Sequence, residues 1–165
     1  MRKNVKNNFM TAPDDEKSFI KYETMDHLSD VRLKVYGKNI KDLFENAAEG
    51  MFSLISDLDN VKKGIKKDIM INIMENADPE DFLMAWLEKL LYICEVEGLL
   101  FSYFKIKDLK NAGSQNSISA FIKGERINPK KHEIFLQIKA PAYHNLHIQQ
   151  DKKTGTYNVE IIFDV

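Results

Sequence analysis

The chain has 165 residues, with 24 Lys and Arg against 25 Asp and Glu and a formal charge of −1. That length suits one ordinary domain with a real core, and the balanced charge excludes a protein that coats a polyanion, leaving room only for a small RNA-contacting patch. One cysteine, Cys94, excludes an intramolecular disulfide framework and suits a reducing compartment.

Residues 1–18 are basic and polar, lack the apolar stretch of a secretory signal, and read as a flexible tail closed by Pro13-Asp14-Asp15-Glu16. No run approaches the roughly 18 apolar residues that span a bilayer. Residues 19–165 contain no internal repeat and read as a single domain. Phe19 to Tyr36 is strand-like, with Val31, Leu33 and Val35 alternating with polar or larger residues up to Gly37. Asn39 is placed to cap a helix in which Ile40, Leu43, Phe44, Ala47, Met51, Leu54 and Ile55 form one apolar face.

After the turn-forming cluster Asp57-Leu58-Asp59-Asn60, Ile69, Ile71 and Ile73 alternate as a strand. Asp78-Pro79 opens a second helix, carrying Phe82, Leu83, Trp86, Leu87, Leu90, Leu91, Ile93 and Cys94 and ending at Gly98. Its stripe is wide, so Phe82, Met84 and Trp86 are expected in the core with Met51 of the first helix, and Cys94 reads as a packed residue rather than a nucleophile. Five further strands are expected: 99–106, 117–124, 134–140, 145–149 and 157–165. Gly113 and Gly155 lie in hairpin-type connections. Two amphipathic helices on largely antiparallel sheet make an α+β fold.

No phosphate-binding glycine loop, paired-cysteine zinc spacing or serine nucleophile turn is present. The polar groups that remain are Asp26, His27 and Asp30 near the start, then Lys130-Lys131-His132-Glu133, Lys139, Tyr143 and His144. If the first and last strands are neighbours, Asp30, Asp164 and the terminal carboxylate of Val165 bring hard oxygen donors together, a set suited to Ca²⁺ or Mg²⁺ and poorly suited to Zn²⁺. Each acid alone could equally cap a turn, and the two histidines and the lysine pair could equally be structural or solvated.

Tyr22 to Val31, with its D-H-x-x-D-V core, resembles the opening motif of the archease family. So do Val96-Glu97-Gly98-Leu99-Leu100-Phe101, Gly124-Glu125, Lys131-His132-Glu133, Lys139-Ala140 with Tyr143-His144, and Phe163-Asp164-Val165, in consistent order over about residues 20–165. The resemblance implies an archease-like α+β domain and a non-enzymatic role: activating the tRNA-splicing RNA ligase, which joins 2′,3′-cyclic-phosphate and 5′-hydroxyl RNA ends. The activator promotes guanylylation of that ligase and its multiple turnover. It further implies a divalent cation, calcium first with magnesium and manganese as alternatives, held by Asp30, Asp164 and Val165. Asp26, His27, Lys131, His132, Lys139, Tyr143 and His144 are then supporting or partner-contact residues, RNA and guanine nucleotide are met only through the ligase, and no membrane is involved. The implied location is the cytoplasm, with the nucleus as well in a eukaryote.

The chain departs from the family pattern at Leu28-Ser29, where Thr-Ala is usual, and at Lys139-Ala140-Pro141-Ala142-Tyr143, where Lys-Ala-Ile-Thr-Tyr is usual. Pro141 cannot donate to a sheet ladder, so an edge strand or bulge is expected there. Two alternatives stand beside this reading: a stand-alone metal-dependent phosphoester hydrolase with Asp26 or His27 as base, and a general protein or RNA chaperone module.

Overall fold

The computed structural model describes residues 18–26 and 30–165. Nearly all of the expected tail, His27, and the Leu28-Ser29 departure lie outside the described residues, as does the side chain of Asp26. The strand-like stretch resolves into two antiparallel strands, β1 (Tyr22–Asp26) and β2 (Val31–Gly37), rather than one. On β2 the alternation works as expected: Leu33 and Val35 are fully buried, while Arg32, Lys34 and Tyr36 face outward.

Helix α1 (Ile40–Ile55) starts where the Asn39 side chain accepts the Asp42 N–H at 2.9 Å. Strand β3 (Ile65–Ile73) follows a short 3-10 turn. Helix α2 (Pro79–Glu97) opens on a reciprocal cap, in which the Asp78 and Asp81 side chains each accept the other's backbone N–H. It stops at Gly98, which adopts the left-handed conformation (φ 64°, ψ 43°) that closes a helix most cheaply without a Cβ.

Strands β4 (Leu99–Ala112) and β5 (Gln115–Arg126) form a long hairpin, and β6 (Ala140–Ala142), β7 (Gln149–Gln150) and β8 (Tyr157–Asp164) complete the chain. All pairings are antiparallel. One sheet runs β1-β2-β8-β6, with β7 also on β8, and the other runs β3-β5-β4. The last strand thus lies inside the first sheet, directly beside β2. Both helices join the sheets: α1 packs on β2 and β4, and α2 packs on β3, β4 and β6. Their apolar faces meet in one core containing Phe44, Met51, Trp86, Phe101 and Phe163, with the Trp86 indole N–H donating to the Phe44 carbonyl at 3.0 Å.

Two expected strands are corrected. Residues 134–139 form no strand, and only Ala140, the first residue of β6, reaches a sheet. Ile134 makes a single bridge to Ser56, and the Phe135 N–H donates to the Ile55 carbonyl, so this segment is tied to the end of α1 instead of a sheet. Residues 145–149 reach a ladder only at Gln149. Asn145 has a positive φ (55°), and the Ile148 N–H is taken by Glu80 of α2 at 2.7 Å. The expectation for Pro141 holds: β6 is an edge strand, paired only with β8, and Pro141 lies opposite Phe163.

Candidate functional site

The β2–β8 register sets the geometry of the site. Val31 pairs with Phe163, so Asp30 and Asp164 are the next opposed positions beyond the ladder. Strand alternation turns Asp164 to the same face as Ile162 and Glu160, away from buried Phe163 and Ile161. Asp30 is half-buried and Asp164 is exposed. The other edge of Asp164 is occupied by β6: Ala140 pairs with it, and the Lys139 N–H donates to its carbonyl at 2.8 Å. The Lys139 ammonium then donates to the Val165 main-chain oxygen at 3.1 Å, holding down a residue that is 41% exposed. Asp30, Asp164, Val165 and Lys139 therefore share one end of the five-stranded sheet. The Asp26 backbone pairs with Val31 and reaches the same end from β1.

Two outward-facing residues missed in the sequence frame this end. Arg32 on β2 donates from Nη1 to Glu160 Oε1 on β8 at 3.2 Å, an ion pair across the same two strands, one turn of the pleat in from the carboxylates. The alternation of β2 was the available signal, since it puts Arg32 and Asp30 on one face.

The remaining candidates are not at this end. Lys131 and His132 converge on Glu125, near the end of β5. His132 is buried; its Nδ1 accepts the Asn128 N–H at 2.9 Å, so the ring hydrogen lies on Nε2 and donates to Glu125 Oε1 at 3.0 Å. Glu125 also accepts the Lys62 N–H at 2.7 Å. The Lys131 ammonium foremost, then the Lys62 N–H, lower the Glu125 carboxyl to about 2. This is a structural knot that ties the 127–139 segment to the second sheet, and Glu125, its centre, was not singled out from sequence.

Tyr143 is exposed and donates from its hydroxyl to Asp81 Oδ1 at 3.3 Å, at the start of α2. Partial desolvation, then the Asp81 charge, raise its phenol above the ordinary range. His144 is exposed and makes no hydrogen bond among the described residues. Among the described residues no group of three or more His, Cys, Asp or Glu side chains is placed to hold a metal ion, and among them the oxygen donors at this end are two carboxylates and main-chain oxygens. Also among the described residues, no helix is long and apolar enough to cross a membrane.

The sequence model of the archease protein family matches residues 22–165, from the first residue of β1 through Val165. The chain belongs to the archease family. The archease match contains every candidate residue discussed above. Relatives named protein archease include that of Methanosarcina mazei, 30% identical over 145 residues covering 88% of this chain and 96% of the relative. Another, from Sulfolobus acidocaldarius, is 31% identical over 147 residues, 88% of this chain and 99% of the relative. The fold agrees as well: the solution structure of protein 1598 of Methanobacterium thermoautotrophicum superposes with a TM-score of 0.71 at 25% identity, covering 87% of this chain and 98% of that one.

Proposed function

We propose that this chain is an accessory protein, not itself an enzyme, that activates a tRNA-splicing RNA ligase by promoting its guanylylation and multiple turnover. Archease membership supports the reading, and the observation that carries its chemistry is the opposed pair Asp30 and Asp164 at the open end of the five-stranded sheet. Two carboxylates with nearby main-chain oxygens are the donors a hard divalent cation prefers, calcium foremost. Asp30 and Asp164 would hold it, with Val165 contributing its oxygen once Lys139 yields. The ion would supply an electropositive centre facing a partner's phosphate or carboxylate groups.

The chain's own residues do the positioning. Pairing of Phe163 with β2 and of Asp164 itself with Ala140 of β6 fixes the Asp164 backbone, so its carboxylate is presented without the fraying usual at a strand end. Lys139 ties Asp164 and Val165 through two separate hydrogen bonds. The charged end is presented to the ligase in the cytoplasm, and RNA and guanine nucleotide are met there in the ligase site.

The test uses Asp30→Asn and Asp164→Asn, which keep shape and remove charge. Ligase guanylylation is followed with each protein, and Ca²⁺ binding is titrated calorimetrically on the activator alone. The expected result is a loss of stimulation of about tenfold or more in both variants, with Ca²⁺ affinity lost in parallel. Full stimulation by both variants, with unfolding transitions matching the parent, would overturn the role of this pair.

A further inference from the structure

Among the described residues no helix or strand covers the outward face of the three-stranded sheet, whose buried alternate positions face the two helices on its other side. Register assigns its rows. Lys66, Lys123 and Tyr103 stand side by side across β3, β5 and β4, and the next row is Asp68, Phe121 and Lys105. The Tyr103 and Phe121 rings lie 6.4 Å apart at 74°, edge to face. Ammonium groups surround them: Lys123 is 4.6 Å from the Tyr103 centroid and 5.4 Å from that of Phe121, Lys63 is 5.7 Å from Tyr103, and Lys107 is 5.6 Å from Phe121. Lys110 extends the same face along β4, opposite Ser117.

Against these lysines the face carries Asp68, which pairs with Lys107, Asp108, and beyond Lys123 on β5 Glu125, which is taken up by Lys131 and His132. Lys105 pairs with Glu45 of α1 at 3.1 Å. Lys63, Lys66, Lys110 and Lys123 form no ion pair among the described residues. A chain of net charge −1 has thus concentrated positive charge around two partly exposed aromatic rings on one open sheet.

We infer that this face binds single-stranded nucleic acid, with lysines on the phosphates and Tyr103 and Phe121 as stacking platforms for bases. Charge complementarity selects a polyanion, and the rings select one with flat π-faces. An acidic protein surface would use the lysines and leave the rings idle. A duplex hides its base faces and cannot reach them. The ammonium–ring contacts do not block the site: exposed contacts of this kind are weaker than base stacking, so a base displaces a lysine from the ring toward a phosphate. The inference is independent of the ligase reading, since it concerns the other sheet and a direct contact by this chain.

Fluorescence anisotropy of a labelled mixed-sequence RNA of about 12 nucleotides, titrated with the full chain, is the test. With about four phosphates neutralised, binding is expected to weaken roughly 20- to 50-fold between about 50 and 200 mM salt. Tyr103→Leu and Phe121→Leu are expected to lower affinity about tenfold each with the salt dependence unchanged. The double variant Lys66→Gln, Lys123→Gln is expected to flatten the salt dependence, reducing its slope by about 1.4. These side chains are on the open face, and circular dichroism confirms the fold of each variant. Equal affinity for a duplex, equal competition by polyglutamate, or no effect of either ring substitution would overturn the inference.

Discussion

At Glu125 one carboxylate oxygen collects three donors: the Lys131 ammonium, the Lys62 N–H and the His132 Nε2–H. Its carboxyl is lowered to about 2, below the ordinary value near 4.3. A depressed acid stabilises the fold fully above its unfolded pKa, and that contribution is lost as the pH falls from about 4.3 through about 2. Urea unfolding of the parent and Glu125→Gln should therefore differ most at neutral pH and converge as the pH approaches 2. A gap that stays constant down to that pH would contradict the linkage. Removing the buried imidazole that accepts the Asn128 N–H, by His132→Ala, should cost about 1–3 kcal/mol in the same assay. At Cys94, burial foremost and then Glu95 push the thiol up to about 11. Its alkylation at mildly alkaline pH should be at least about tenfold slower in the folded chain than in urea, and equal rates would show an accessible thiolate.

Among the elements, the two helices were the most legible in sequence, because their caps and apolar stripes are local signals that the fold kept: Asn39 and Asp78 cap as expected, and Trp86, Phe82, Met51 and Met84 are buried. The long hairpin was legible only in part. The 12-residue β5 and 14-residue β4 extend beyond the residues with clear apolar alternation, since one face of that sheet is open and carries lysines. The segments 134–140 and 145–149 alternated as strands do, yet the Phe135 and Ile148 N–H groups go to Ile55 and Glu80, partners that no local pattern reveals. Gly124 shows a tertiary requirement of the same kind. A Cβ there would lie 1.8 Å from the Leu100 carbonyl oxygen, beside the β4 irregularity at Phe101 and Tyr103. Gly124→Ala should destabilise the chain by roughly 3 kcal/mol, read from the denaturation midpoint, whereas Gly64→Ala, which meets nothing within 4 Å, should leave it within about 0.5 kcal/mol.

For the whole molecule, the proposed cation site depends on where the last strand goes. The chain places β8 between β2 and β6, so residues at opposite ends of the sequence, Asp30 and Asp164, become neighbours. The sequence supplied the acids and the condition that their strands must meet; only the three-dimensional topology supplies the meeting. Lys131 and His132 show the converse. They stood close in sequence to Lys139, yet they serve Glu125 on the other sheet. The molecule thus has a carboxylate-tipped end on one sheet and a lysine-rich open face on the other, each suited to a different contact.

The proposal that this chain makes an RNA ligase turn over can be tested directly. The direct measurement is joining of a 2′,3′-cyclic-phosphate RNA to a 5′-hydroxyl RNA, with the tRNA-splicing ligase scarce, GTP and metal present, and the chain added or withheld. Product is expected to climb well past one equivalent per ligase only when the chain is present, and the chain alone is expected to join nothing. Product that rises identically with and without the chain would contradict it.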